Sequence, residues 1–231
     1  MSGIARDFER ELYPFLFERE ALAPERVEAV LREVEVSTRA KGRDVVELRR
    51  RLFEEYAGAL VEAGRAMARA FARGGKLLAF GNGGSATDAQ DAAADCLAPP
   101  RPGWRPLSAL ALVNDTAVVT AIANDVGFEH VFLRQIAAFG APGDIALGIS
   151  TSGNSRNVNL ALAEARRRGL LTVAFSGGDG GAVARERLAD FVFVARIDHI
   201  PRIQEGQATL WHALLELVHH YLDGGSPEEA P

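Results

Sequence analysis

Two hydrophobic periods divide the chain. From about Ile4 to Arg73 the apolar positions recur as they do on helices. Val27, Val30, Leu31 and Val34 fall at i, i+3, i+4 and i+7, with Glu and Arg between them, the spacing of one face of an amphipathic helix. Phe53, Tyr56, Ala57, Leu60, Val61, Met67, Ala68 and Phe71 carry that period further. Gly64 shares their face; it costs about 1 kcal/mol against alanine in a helix but lets another helix approach closely. The longer helix is expected to begin near Asp44 and to stop at Gly74-Gly75, with breaks at Pro24 and around Lys41-Gly42.

After Gly75 the pattern shortens. The apolar runs Leu77–Phe80, Leu107–Val113, Ile145–Ile149, Leu171–Phe175 and Phe191–Ala195 are near-continuous and aliphatic, as in strands buried on both faces. Helical patterns lie between them: Asp88–Cys96, Thr116–Ile122, Val131–Phe139, Ser155–Arg168 and Ala182–Leu188. A last helix is expected from about Arg202 to Leu222. Alternating strand and helix predicts an α/β fold, a three-layer αβα sandwich on a five-stranded parallel sheet, preceded by an N-terminal helical region. The expected division is residues 1–75 for the N-terminal helices, 76–223 for the sandwich and 224–231 for a frayed tail rich in Gly, Pro and Glu.

Composition narrows the chemistry. The chain has 231 residues, 48% of them hydrophobic, and a net charge of −5, which suits a folded core and disfavours a dedicated nucleic-acid binder. One cysteine, Cys96, excludes an internal disulfide framework and fits a reducing compartment. The only lysines are Lys41 and Lys76. Lys76 lacks the flanking residues of a Walker A loop, which excludes a P-loop NTPase, and two lysines leave little scope for Schiff-base chemistry. No apolar stretch is long enough to span a membrane, and Met1 to Glu20 is too charged for a signal peptide. The expectation is a soluble, cytoplasmic protein.

Two loops at strand ends carry most of the functional information. Gly81-Asn82-Gly83-Gly84-Ser85 follows the first strand, and Ser150-Thr151-Ser152-Gly153-Asn154-Ser155 follows the third; each opens a helix. Ligands of parallel sheets bind beyond the carboxyl ends of the strands. Glycines admit an anion to the backbone, and helix N-termini offer free N–H groups and a positive dipole end. Either loop alone is also an ordinary turn and cap, since Ser and Asn are favoured there. Two in one sheet favour a phosphate. Gly81-x-Gly83-x-x-Ala86 also fits the dinucleotide fingerprint formally, but Asp115 lies beyond the distance at which that fingerprint places its acidic residue.

These loops, with Ala123-Asn124-Asp125-Val126-Gly127-Phe128, Gly148-Ile149 and Arg202-Ile203-Gln204-Glu205, resemble the sugar isomerase (SIS) fold, and more narrowly the bacterial phosphoheptose isomerases. A related group, the DnaA initiator-associating proteins, shares the motifs and binds a protein. The resemblance covers about Leu77 to Leu222 and implies a flavodoxin-like SIS domain. It implies that Asn82, Gly83, Gly84, Ser85, Asn124, Asp125 and Gln204 contact a sugar, and that Ser150, Thr151, Ser152 and Ser155 cradle its phosphate. It further implies a metal, zinc, on Gln204 and His212, with His212 a second acid/base. Where the family carries a histidine ligand and a catalytic glutamate, this chain has Asp91 and Asp95. Asp95 keeps a carboxylate base, one methylene shorter. Asp91, Asp95, Gln204 and His212 would make an oxygen-rich metal site.

The expected activity is aldose–ketose isomerisation of sedoheptulose 7-phosphate through an enediol; the alternative is a non-catalytic SIS protein that binds a phosphosugar or a protein partner. A homotetramer assembled through the N-terminal helices, with sites shared at its interfaces, is implied by the same resemblance. Against these stand plainer readings. Asp88, Asp91 and Asp95 share a helix face that would ordinarily be solvated. Cys96 reads as a small buried apolar residue, Leu210 and Trp211 as packing residues, and His219 and His220 as surface residues.

Overall fold

The computed structural model describes residues 24–224. By its internal contacts the chain divides into two units, ending at Arg43 and beginning at Asp44. Expectations for residues 4–23 and for the tail from Gly225 onward lie outside the described residues.

Helix α1 runs without interruption from Pro24 to Ala72. The break expected at Lys41-Gly42 is absent. Gly42 meets no neighbour, and exposed i,i+4 pairs such as Arg39–Glu35 support the helix on its amino-terminal side. In the first unit Val27, Val30, Leu31 and Val34 are all exposed. In the second unit the periodic face is buried at Leu60, Met67, Ala68 and Phe71.

The second unit is the sandwich. Strands β1 (Leu77–Gly81), β2 (Ala109–Ala111), β3 (Ile145–Ile149), β4 (Leu171–Gly177) and β5 (Phe191–Ala195) form a parallel sheet in the order β2-β1-β3-β4-β5. Helices α2 (Gly84–Leu97), α3 (Thr116–Asp125), α4 (Val131–Phe139), α5 (Arg156–Arg167), α6 (Gly181–Arg185) and α7 (Ile200–Leu222) complete it. β1, β3 and β4 are buried along almost their whole length, as their unbroken apolar runs required. β2 is shorter than the run that predicted it and is an edge strand pairing only with β1.

Alternation sorts the core into two faces. Leu77, Ala79, Ile145, Leu147, Val173 and Phe193 pack with α1, α2 and α7. Leu78, Phe80 and Ala146 pack with α4, α5 and α6. Gly64 has the role its position suggested: a Cβ there would fall 2.6 Å from Leu217 Cβ, so α1 and α7 meet at the glycine. His219 overturns its expectation. It is fully buried and stacks on Trp104 at 4.2 Å, and burial pulls its pKa down, against the charge of Asp223. Its place on the buried stripe of α7, four residues after Leu215 and one after Val218, outweighs its polarity.

The strand order reverses direction between β1 and β3. In open parallel sheets this switch point opens a crevice at the strands' carboxyl ends. Both glycine- and serine-rich loops leave from these two strands.

Candidate functional site

The first loop is a backbone turn with an exposed mouth. Gly83 caps α2 at φ 58° and ψ −125°, a region that side chains avoid. Its carbonyl accepts from the Ala86 amide. Asn82 faces the second loop: its side-chain amide and that of Asn157 donate to each other, both at 2.9 Å. Asn157, in the first turn of α5, is buried and also accepts from the Val158 amide. It ties the two loops together across the switch point. Sequence reasoning missed it, because an asparagine in a first helical turn reads as a cap.

The second loop presents hydroxyls at a helix N-terminus. Ser150 and Ser155 share a 2.9 Å hydrogen bond, and Ser150 Oγ accepts from the Gly153 amide at 3.2 Å. Ser155 caps α5 without using its side chain on the helix, so its hydroxyl stays on the loop side. Ser152 is exposed and accepts from the Asn154 amide. Thr151 is half-buried. The whole loop is braced from behind by Asn154, whose side-chain Oδ1 accepts from the Ala182 amide.

The opposite wall is built by α2 and α7. Gln204 lies directly over the first loop: a Cβ on Gly84 would fall 2.1 Å from Gln204 Nε2. Gln204 also hydrogen bonds to Asp88, whose carboxyl is pushed above its usual range by burial, despite that bond and with Asp91's charge adding to the rise. Asp95 accepts from Trp211 Nε1 at 2.9 Å and lies 3.9 Å from His212 Nε2. Trp211 is therefore more than a packing residue, although it is buried as expected. Between these helices, at the ends of β3 and β4, lies a cavity of about 100 Å³ lined by Asp88, Asp91, Gln207 and His212 with Ile149 and Phe175.

Several expectations resolve here. Gln204 and the first loop are brought together, as are Asp95 and His212. Asp91 is exposed. Asn124 and Asp125 sit exposed at the end of α3, with Asn124 donating to Asp125 at 2.7 Å, and neither side chain hydrogen bonds to the two loops. Asp115 caps α3 by accepting from the Val118 amide, which gives it a structural role in place of a ribose contact. Lys76 is held by Asp144 at the far end of the sheet. Cys96 is buried, and burial beside the Asp95 charge pushes its thiol up to about 12, so it is no nucleophile.

The metal expectation fits less well. Among the described residues no three His, Cys, Asp or Glu side chains are gathered to hold an ion. Asp95 already accepts from Trp211, and Asp91 is an exposed residue on the lining of the α2–α7 cavity, which Asp95 does not line. As these side chains lie, Asp91, Asp95, Gln204 and His212 are not one ligand set for zinc, which takes four donors in a tetrahedron.

Comparison with known proteins agrees with this architecture. A SIS domain family matches residues 42–177. The phosphoheptose isomerase of Aquifex aeolicus is 45% identical over 176 residues, covering 76% of this chain and 91% of the relative. Solved structures of phosphoheptose isomerases from Neisseria gonorrhoeae and Francisella tularensis superpose with TM-scores of 0.73 and 0.74 at 35% and 30% identity, covering 80% and 83% of this chain and 98% of each of theirs. Identity at this level across nearly the whole of a relative, over the span that carries both loops and the switch point between them, places the chain in the phosphoheptose isomerase family of SIS-domain enzymes.

Proposed function

We propose that the chain converts sedoheptulose 7-phosphate into a glycero-manno-heptose 7-phosphate through an enediol, with Asp95 and His212 as its acid–base pair. The observation that carries this reading is their pairing, 3.9 Å apart, between α2 and α7. Ser150, Thr151, Ser152 and Ser155 hold the phosphate with the free amides of the α5 N-terminus, where the dipole favours an anion. Asn82, Gly83, Gly84, Ser85 and Gln204 line the sugar; Asn124 and Asp125 are assigned the same role by family resemblance alone.

Asp95 takes a proton from C1 of the ketose, leaving an enediolate over C1 and C2. The same carboxyl returns a proton to C2. His212 moves the hydroxyl proton from O1 to O2, so the ketose and aldose balance without an added reactant. A histidine suits this task because its ordinary pKa lies near neutrality. The Trp211 indole holds the Asp95 carboxylate in one orientation.

We also propose a homotetramer in the cytoplasm. The exposed apolar stripe Val27, Val30, Leu31 and Val34, and separately the exposed Phe53, support association. No helix among the described residues is long and apolar enough to cross a membrane.

The test is turnover of sedoheptulose 7-phosphate by metal-stripped protein and by protein reloaded with zinc, manganese or magnesium. Asp95→Asn keeps an acceptor for Trp211 and is expected to lower kcat by about 10²- to 10⁴-fold with little change in KM. A kcat equal to the parent's would remove Asp95 from the reaction. Phosphosugar binding without turnover under any metal condition would favour the binding-protein alternative.

A further inference from the structure

The cavity between α2 and α7 contains polar groups that the reaction above does not use. Gln207 is 1% exposed, yet neither its amide nitrogen nor its amide oxygen has a hydrogen-bond partner among the described residues. Asp88 Oδ2, on the facing helix, is buried in the same condition. Both residues line the one cavity. A buried polar group without a partner costs about 1–3 kcal/mol, and native proteins leave few of them. Two that face the same small space mark a place that a ligand's own polar atoms complete.

The donor inventory says what kind of ligand. The ionised Asp88 carboxylate only accepts; the Gln207 amide offers two donors and an acceptor oxygen. A ligand must give a hydrogen to Asp88 and to Gln207 Oε1 and accept one from Gln207 Nε2. Neighbouring hydroxyls of a polyol do this. A phosphate does not, since it has few hydrogens to give and its charge opposes Asp88. The apolar Ile149 and Phe175 beside them suit the carbon chain between hydroxyls. The cavity also adjoins Gln204, which hydrogen bonds to Asp88 and overlies Gly84.

We propose that Asp88 and Gln207 form the hydroxyl-recognition end of the site, reading the sugar chain while the serine loop reads its phosphate. The proposal rests on the phosphosugar reading above. It assigns Gln207 to substrate specificity rather than to the fold.

The test is calorimetric binding of sedoheptulose 7-phosphate and, separately, of inorganic phosphate to the full chain and to Gln207→Leu. The sugar phosphate is expected to bind the variant about 10- to 100-fold more weakly. Inorganic phosphate should bind both proteins equally, and the variant should melt no lower than the parent because an unpartnered amide has been removed. Gln207→Met, closer in length, replaces leucine if that variant fails to fold. Sugar-phosphate affinity within about twofold of the parent's would overturn the proposal. So would an equal loss for both ligands, which marks a general disturbance. A parent that binds inorganic phosphate but not the sugar phosphate would overturn the phosphosugar reading itself.

Discussion

On the serine-loop side of the cleft, the loop groups are fixed by one another. Ser150 bonds to Ser155 and to the Gly153 amide, Asn82 is locked to Asn157, and Asn154 is braced against α6. Across the cleft the α2–α7 wall leaves groups short of partners: Asp88 Oδ2 and both amide atoms of Gln207. The first arrangement spends its polar groups on holding a shape into which an anion can settle. The second withholds them for something that arrives. Rigid preorganisation and unsatisfied chemistry thus occupy opposite walls, and substitutions on the two walls should differ in kind.

The largest effect on stability is expected from Gly153→Ala. Gly153 has φ +63°, and a Cβ there would fall 2.1 Å from the Gly180 carbonyl oxygen and 2.5 Å from Ser176 Oγ. Backbone strain and a clash with main chain combine, and the Ser176 hydroxyl is itself buried and held by the Gly180 carbonyl. The loss should be about 3 kcal/mol, with a melting temperature lower by roughly 6–12 °C. An unchanged melting curve would show that the serine loop is softer than its hydrogen bonds imply.

Gly84→Ala makes the opposite contrast. Its Cβ would fall 2.1 Å from Gln204 Nε2, but that is the end of a flexible side chain. Gln204 can swing away, so stability should change by less than about 1 kcal/mol. Turnover should nevertheless fall about 10- to 100-fold, because Gln204 leaves the place where it faces the sugar. A variant that loses stability instead would mean that Gln204 is a packing residue, and the distinction between the walls would fail at that point.

The fold was largely legible because its signals are local. Buried parallel strands must be short apolar runs, and glycines must punctuate them, so Ile145–Ile149 and Val131–Phe139 could be bounded to the residue. The uninterrupted α1 was not, since Lys41-Gly42 looks like a stop only when the neighbouring ion pairs are ignored. The burial of His219 was not legible from its nearness to the chain end; its place on the apolar stripe of α7 decides it. In the site, the place of the serine-rich loop, after β3 and at the start of α5, could be read from composition and position alone. Asn157 and Gln207 could not. Each depends on a contact or a cavity between residues far apart in sequence, and an isolated Asn or Gln in a helix carries no sign of it.

The smallest expected effect concerns Asp88 and separates its cost from its use. Burial raises its carboxyl pKa in the folded chain, although the Gln204 hydrogen bond opposes the rise. The folded state therefore holds this proton more tightly than the unfolded state does. Its contribution to stability is fully present below the unfolded value of about 4 and is lost as pH rises through the folded pKa. At neutral pH the buried charge is a net cost. Asp88→Asn removes the charge and keeps an oxygen for Gln204. The variant should be more stable than the parent at pH 7 by on the order of 1 kcal/mol, and the gain should shrink as pH is lowered toward 4.5. Urea unfolding at the two pH values measures this. An equal gain at both would place the cost in the unpartnered oxygen rather than in its charge. A gain that vanishes in acid, together with weaker sugar binding, would show that the chain tolerates an unfavourable carboxylate on this wall because the ligand requires it.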